Sequence, residues 1–545
     1  MNITDIIPAG VPWLTLLVIL PALGALAIGV IRPLREIGRP LALIIAVAEL
    51  VLAIVAAVSF DWASPAAYQL VESYPWIAQI GVTWSLGANA LGLVMILLAT
   101  ALVPLVLLAA WREGDEKDAG SYAALVLCLE AFMVLIFAAF DVVVFYIAFE
   151  AMLIPLYFMI GRFGSGEPAA RQKAAVKFVI YSLVGGLAML GGLVALWANV
   201  EHTDTAFRLD TLSSTAAGLS SGLQLAVFLT FMLAFAIKAP MVPLHTWLAD
   251  VAAEARPGTS VLLVGVLDKI GTFGMITLCL RLFPEACAKA APVILVLAVV
   301  SILWGGLAAI GQKDLMRLVS FTSVSHFGFM VLGIFIGSEI ALIGSMFYMV
   351  AHGVSIAALF LISGFLTERG GTREIAHYRG MQRITPVIAG TFLTAGLASV
   401  ALPGLSGFVP EYLVFMGTWK VSPALAIFAV LGVVLAALYI LMPYQKIFTG
   451  PPSEGPQLAD MDGREKTVVT PLIIAMLVLG IWSAPLVGAL QPLAAEGAEM
   501  IEIGQAAARL DNEGDMTEED VTGSVAPDAA DVVAAPAAAA EGSAK

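Results

Sequence analysis

Residues 231–248, FMLAFAIKAPMVPLHTWL, set a lysine, Lys238, inside an apolar run that Pro240 and Pro243 then interrupt. In a membrane span, a lysine at the bilayer centre costs about 3 kcal/mol even on the lenient insertion scale, so its presence there points to a use. Each proline lacks the N–H of a continuing helix, which should free the carbonyls of Ala236 and Ala239. Glu150, Lys269, His326, His352 and Glu411 lie in comparable apolar surroundings.

The rest of the chain sets this stretch in a membrane. With 60% hydrophobic and only 12% charged residues over 545 positions, the composition excludes a soluble domain and predicts an all-α polytopic membrane protein. Apolar runs of span length recur from 12 to 488 and predict about fourteen transmembrane helices. The first, 12–32, has no basic region before it and no small-residue cleavage site after it, so it is expected to stay as a span. Between 496 and 545, twelve acids against Arg509 and Lys545 account for ten of the fourteen net negative charges, and this Ala/Asp/Glu/Val stretch predicts a disordered tail.

Cofactor chemistry is excluded on spacing. Cys128, Cys279 and Cys287 have neither metal-ligand nor disulfide spacing, and no four-thiolate iron–sulfur site can form from three cysteines. Neither a dinucleotide-binding glycine motif nor a Walker sequence occurs. Nucleotide, flavin or cluster chemistry, if coupled to this chain, belongs to partner chains, and no metal site or nucleic-acid partner is expected.

Basic residues give an orientation. Nineteen lysines and arginines, among them Arg32, Arg112, Arg256, Arg317, Arg373 and Arg464, follow odd-numbered spans, whereas the opposite loops hold Arg208, Arg281, Lys289 and Lys420. The positive-inside rule then puts both termini on the non-cytoplasmic side.

A second break, ASVALPGLSGFVPEYLVF at 398–415, carries Pro403, Gly404, Gly407 and Pro410 just before Glu411. Five spans separate the two breaks, which predicts two five-helix repeats of inverted topology with discontinuous helices at matching positions. The expected organisation is helices 1–3 in 1–120, a first repeat in 121–282, a second in 290–449, a loop and last helix in 450–490, and the acidic tail in 491–545.

Glu150, in FYIAFEAMLIPLYFMIG at 145–161, is the expected counter-charge of Lys238. A Glu–Lys pair whose separation changes acts as a proton switch, because a buried lysine that loses its counter-charge releases its proton. A static ion pair between helices is the alternative. Lys269, on the next span, reads as a second proton station or as a lysine snorkelling to an interface. His245, His326 and His352 can pass protons near neutral pH, although a lone histidine in an apolar setting is often a packing residue. Glu411 reads as an exit group or as a carboxylate at the start of a half-helix.

Taken in order, the stretches at 145–161, 235–248, 260–274, 315–335, 351–381 and 402–415 resemble the antiporter-like membrane subunits of respiratory complex I, the proton-pumping NADH:quinone oxidoreductase, over roughly residues 90 to 450. The M-type subunit is the nearest of the three, because L- and N-type relatives usually carry lysine where this chain has Glu411. The resemblance implies fourteen helices, two joined half-channels and a proton-translocating role without redox chemistry of its own. It implies NADH, FMN, iron–sulfur clusters and quinone in partner subunits, L- and N-type neighbours, and a bacterial plasma membrane. By the same resemblance Glu150 is the modulating carboxylate, Lys238 the first station, Lys269 the connecting station and Glu411 the terminal one, with His245, His326 and His352 along a hydrated axis. Two features depart from the pattern. Asp268 replaces a usually apolar residue, and ADVAAEARPGTSV (249–261) lacks a histidine many relatives carry. A subunit of a multisubunit sodium/proton antiporter would share the same motifs.

Overall fold

The structure is a computed structural model that describes residues 6–8, 10–114, 116–199, 203–451 and 458–514. Among these residues, twelve helices are long and apolar enough to cross a membrane. A thirteenth arises if Gly463–Ile481 and Ala484–Arg509, bent by 67° at Trp482, are taken together, so the span expected at 468–488 is kinked. The stretch expected as one span at 385–418 is instead two short helices, Pro386–Ser399 and Phe408–Val421. The difference from fourteen therefore lies in the broken segments.

Burial sorts these helices. Leu315–Phe335 and Glu339–Gly370 are buried along their whole apolar stretch and Pro257–Leu280 over 94% of it, against 28% for Gly38–Ser59. The first three form the axis of the bundle, and they carry His326, His352 and Lys269. Outer helices such as Gly38–Ser59 turn Ile44, Val51 and Val58 outward, as a lipid-facing surface requires.

Both breaks occur where the proline and glycine signals stand. The first helix runs Ser221–Lys238 and resumes as Thr246–Glu254. The Ala236 carbonyl expected to be free is taken by the Met241 N–H at 3.0 Å, because the chain turns wider at the break and the next available donor closes it. Trp247 Nε1 donates to the Ile237 carbonyl at 3.0 Å, tying the two half-helices together. At the second break Ala401 and Gly404 take positive φ values of 59° and 90°, and the helix restarts with Glu411 in its first turn.

Two features depart from the all-helical, disordered-tail expectation. Ile6–Pro8 pairs parallel with Tyr68–Ile77, which pairs antiparallel with Val82–Ala88 through a turn at Gly81. Asp141 fastens this small sheet to the bundle, accepting from Thr83 N at 2.9 Å while capping the next helix through Val143 N. The segment expected to be disordered from 491 instead continues the helix Ala484–Gly514. Leu490, Leu493, Ala494, Met500 and Ile501 recur at helical spacing and are buried, and Gly504 lets the backbone close on Pro284. High acid content concealed that apolar stripe. The remainder of the expected tail, 515–545, lies outside the described residues.

Candidate functional site

Lys238 is the last residue of the first half-helix and is fully buried. Its Nζ has no hydrogen-bond partner and lies 5.3 Å from the Phe149 ring centroid and 5.2 Å from that of Phe178. Two ring faces thus stand close to the ammonium, a weaker hold than a carboxylate contact. Glu150 lies on the Val142–Ala151 helix, and its Oε1 also has no partner. A Cβ at position 186 would stand 1.6 Å from that Oε1, so Gly186 makes the space the carboxylate occupies. The two groups act on each other electrostatically without touching. The structure thus brings the expected pair together at a distance, not as a salt bridge.

Lys269 lies at the start of a short α-helical stretch between two wider π-turns, Leu263–Leu267 and Met275–Leu280. Such turns rotate the residues that follow and leave carbonyls free to accept side-chain donors. One does so here: Nζ of Lys269 donates to the Val264 carbonyl at 2.5 Å and lies 2.7 Å from Nδ1 of His352. A charged lysine only donates, so Nδ1 is then the acceptor and the ring hydrogen sits on Nε2. That Nε2 has no partner.

His352 leads to His326, whose ring centroid is 5.0 Å away. His326 Nε2 lies 3.1 Å from the Ser399 carbonyl, which can only accept, so this nitrogen carries the hydrogen. Tyr439 Oη is 3.0 Å from the same atom. The Tyr348 ring is 5.7 Å from His326, and its hydroxyl donates to Glu411 Oε2 at 3.1 Å. Lys269, His352, His326, Tyr348 and Glu411 therefore follow one another through the buried axis. Between them, three helices and the second break contribute these groups.

His245 stands apart from this line. It is buried at the first break, accepts from Trp304 Nε1 at 3.2 Å, and leaves Nδ1 without a partner. Tyr348 and Tyr439 were missed from sequence. Tyr348 precedes His352 by four residues on one helix, a spacing that puts both on one face and could have found it, whereas Tyr439 comes from a distant helix and leaves no local signal. Glu49 and Glu130, each fully buried with both carboxylate oxygens unpartnered, were also missed, although each interrupts an apolar run. Among the described residues, no group of three or more His, Cys, Asp or Glu is placed to hold a metal ion.

The family described as NADH:quinone oxidoreductase/Mrp antiporter, TM, matches residues 139–436, which include both breaks and Glu150, Lys238, Lys269, His326, His352 and Glu411. The chain belongs to that family. NADH-quinone oxidoreductase subunit M of Mycobacterium tuberculosis is 41% identical to this member, over 88% of this chain and 93% of the relative. The subunit M of Rhodobacter capsulatus is 36% identical over 78% and 83%. Among solved structures, a chain of respiratory complex I from Thermus thermophilus with bound NADH superposes with a TM-score of 0.81 at 33% identity, covering 90% of this family member and 99% of that chain. A chain of the Mrp complex from Dietzia sp. DQ12-45-1b gives a TM-score of 0.79 at 22% identity and shares the fold.

Proposed function

We infer that this chain is the M-type, proton-translocating membrane subunit of an NADH:quinone oxidoreductase, and that it moves protons without redox chemistry of its own. The observation that carries this is the run of buried protonatable groups from Lys269 to Glu411, in which Lys269 and His352 are in hydrogen-bond contact and Tyr348 holds Glu411. Burying ionisable groups along a bundle axis is costly, and a scaffold would replace them with apolar side chains.

Lys238 is charged while a carboxylate balances it. When Glu150 withdraws, the attraction falls: at an effective dielectric of ~20, moving a unit charge from 4 to 8 Å removes about 2 kcal/mol, enough to redirect a proton. The proton leaves Lys238 Nζ for Lys269, which passes it through His352 and His326 to the Glu411 carboxylate. Energy for moving Glu150 comes from quinone reduction in partner subunits, which hold the NADH, FMN, clusters and quinone. L- and N-type antiporter-like subunits flank this chain in a bacterial plasma membrane, both termini face outward, and the segments 121–282 and 290–449 act as inverted halves joined at Lys269.

In the assembled complex, Lys238→Ala and Glu150→Gln are expected to abolish NADH-driven proton uptake while all partner subunits still co-purify. Native uptake by either assembled variant contradicts the function. The antiporter reading is favoured by the shared fold of the Mrp chain, and it makes a separate demand: proton flux would then depend on sodium and persist without NADH.

A further inference from the structure

Asp268 has no part in the path described so far. It is fully buried, and both its carboxylate oxygens lack a hydrogen-bond partner. A carboxylate buried alone costs several kcal/mol, a penalty an apolar residue of similar size would remove, so a charged Asp268 requires counter-charges.

The packing supplies two. Gly271, one turn after Asp268, faces the same way and sits against the Ser221–Lys238 helix: a Cβ there would stand 2.6 Å from the Phe235 carbonyl and 2.6 Å from Ala239 N. Gly274 continues that contact onto the Phe235 ring. This face of the Pro257–Leu280 segment is therefore turned onto the final helical turn of its neighbour, where Lys238 is the last residue. Lys269 points about 100° further round, toward His352. The Asp268 N–H bonds the Leu263 carbonyl at 2.9 Å, which closes the π-turn and sets both directions at once. Charges on Lys238 and Lys269 both act on Asp268, and both Asp268 and Glu150 act on the Lys238 ammonium.

We propose that Asp268 is a proton carrier between Lys238 and Lys269 and the second counter-ion of Lys238, alternating with Glu150. The Lys238 ammonium gives a proton to the Asp268 carboxylate, leaving a neutral amine and a neutral carboxylic acid. Asp268 then gives that proton to the neutral amine of Lys269, restoring the carboxylate and creating the ammonium that meets His352. Charge and protons balance at each transfer, and no oxidant or reductant takes part. Lys238 thus chooses between two carboxylates: with Glu150 near, it keeps its proton, and with Glu150 withdrawn, Asp268 takes it.

The proposal rests on the proton-translocating function, and one set of variants separates the two. NADH-driven proton uptake is measured in vesicles carrying the whole complex with Asp268→Asn, Asp268→Leu, Asp268→Glu and Lys238→Ala. The Asn and Leu variants are expected to assemble and to lose uptake by ~10²-fold, the contribution typical of one positioned acid–base group, with Glu restoring more than half. If Lys238→Ala abolishes uptake while Asn and Leu keep it, the relay through Asp268 is overturned and the function stands. If Lys238→Ala keeps uptake, the function itself falls. Loss of assembly in both Asn and Leu variants makes Asp268 structural and overturns the proposal, as does Glu performing no better than Asn.

Discussion

The two ends of the buried axis hold their charges differently. Around Lys238, the ammonium, both Asp268 oxygens and Glu150 Oε1 all lack hydrogen bonds, and the Phe149 and Phe178 rings stand beside the ammonium. At Glu411 the carboxylate is held by Tyr348, and the adjoining His326 is tied to Ser399 and Tyr439. Unbonded charges respond to every change in their neighbours, because no fixed dipole shields them. A hydrogen-bonded carboxylate is a defined resting place. Under the proposed function, the first end suits switching and the second retention.

The sharpest way to break this contrast is at its quiet end. Glu411→Gln keeps a hydrogen-bonding oxygen for Tyr348 but cannot ionise, so proton uptake should fall by ~10²-fold with assembly intact. Normal uptake would remove Glu411 from the path. Next, Gly186→Ala puts a methyl group 1.6 Å from Glu150 Oε1 and must displace that carboxylate. Overpacking of this kind costs about 1–3 kcal/mol, and uptake should fall by about tenfold as Glu150 loses its position. An uptake unchanged beside a lowered melting temperature would mean that the place of Glu150 does not set switching. Tyr348→Phe removes one hydrogen bond worth about 1 kcal/mol, so uptake should drop by about fivefold.

The smallest effect concerns the basic end of the bundle. Glu113, beyond the span Ala90–Arg112, is pushed up to about 7 by burial, with Glu368 adding to the rise and Arg256, Arg464 and Arg39 opposing it. Because its value in the folded chain exceeds the ordinary 4.5, the folded state holds this proton more tightly than the unfolded chain. Stability should therefore fall as pH rises from about 4.5 to about 7 and level off above. Glu113→Gln should remove that slope, measured as the melting temperature of the purified complex between pH 5 and 8. An identical slope in the variant would show that Glu113 stays ionised throughout.

Span positions and both helix breaks were legible because prolines, glycines and long apolar runs act locally. The buried positions of Lys238, Lys269 and Glu411 were legible because a charge in such a run stands out wherever the chain folds. Tyr439 was not, since a tyrosine in an apolar helix is ordinary until its hydroxyl meets His326. Asp268 stood out as a departure, but its direction depends on the π-turn before it, which no hydrophobic period announces. The helix through Leu493 and Ile501 was masked by its acids, and its apolar stripe became informative only against Pro284 and Leu342.

Lys269 is where the responsive and the hydrogen-bonded ends meet, through its contact with His352. The decisive measurement is NADH-driven proton uptake by vesicles bearing the assembled complex with Lys269→Gln. Uptake should fall to the background of this subunit's loss while every partner subunit remains bound. Native uptake by the assembled Lys269→Gln complex would contradict a continuous path from Lys238 to Glu411.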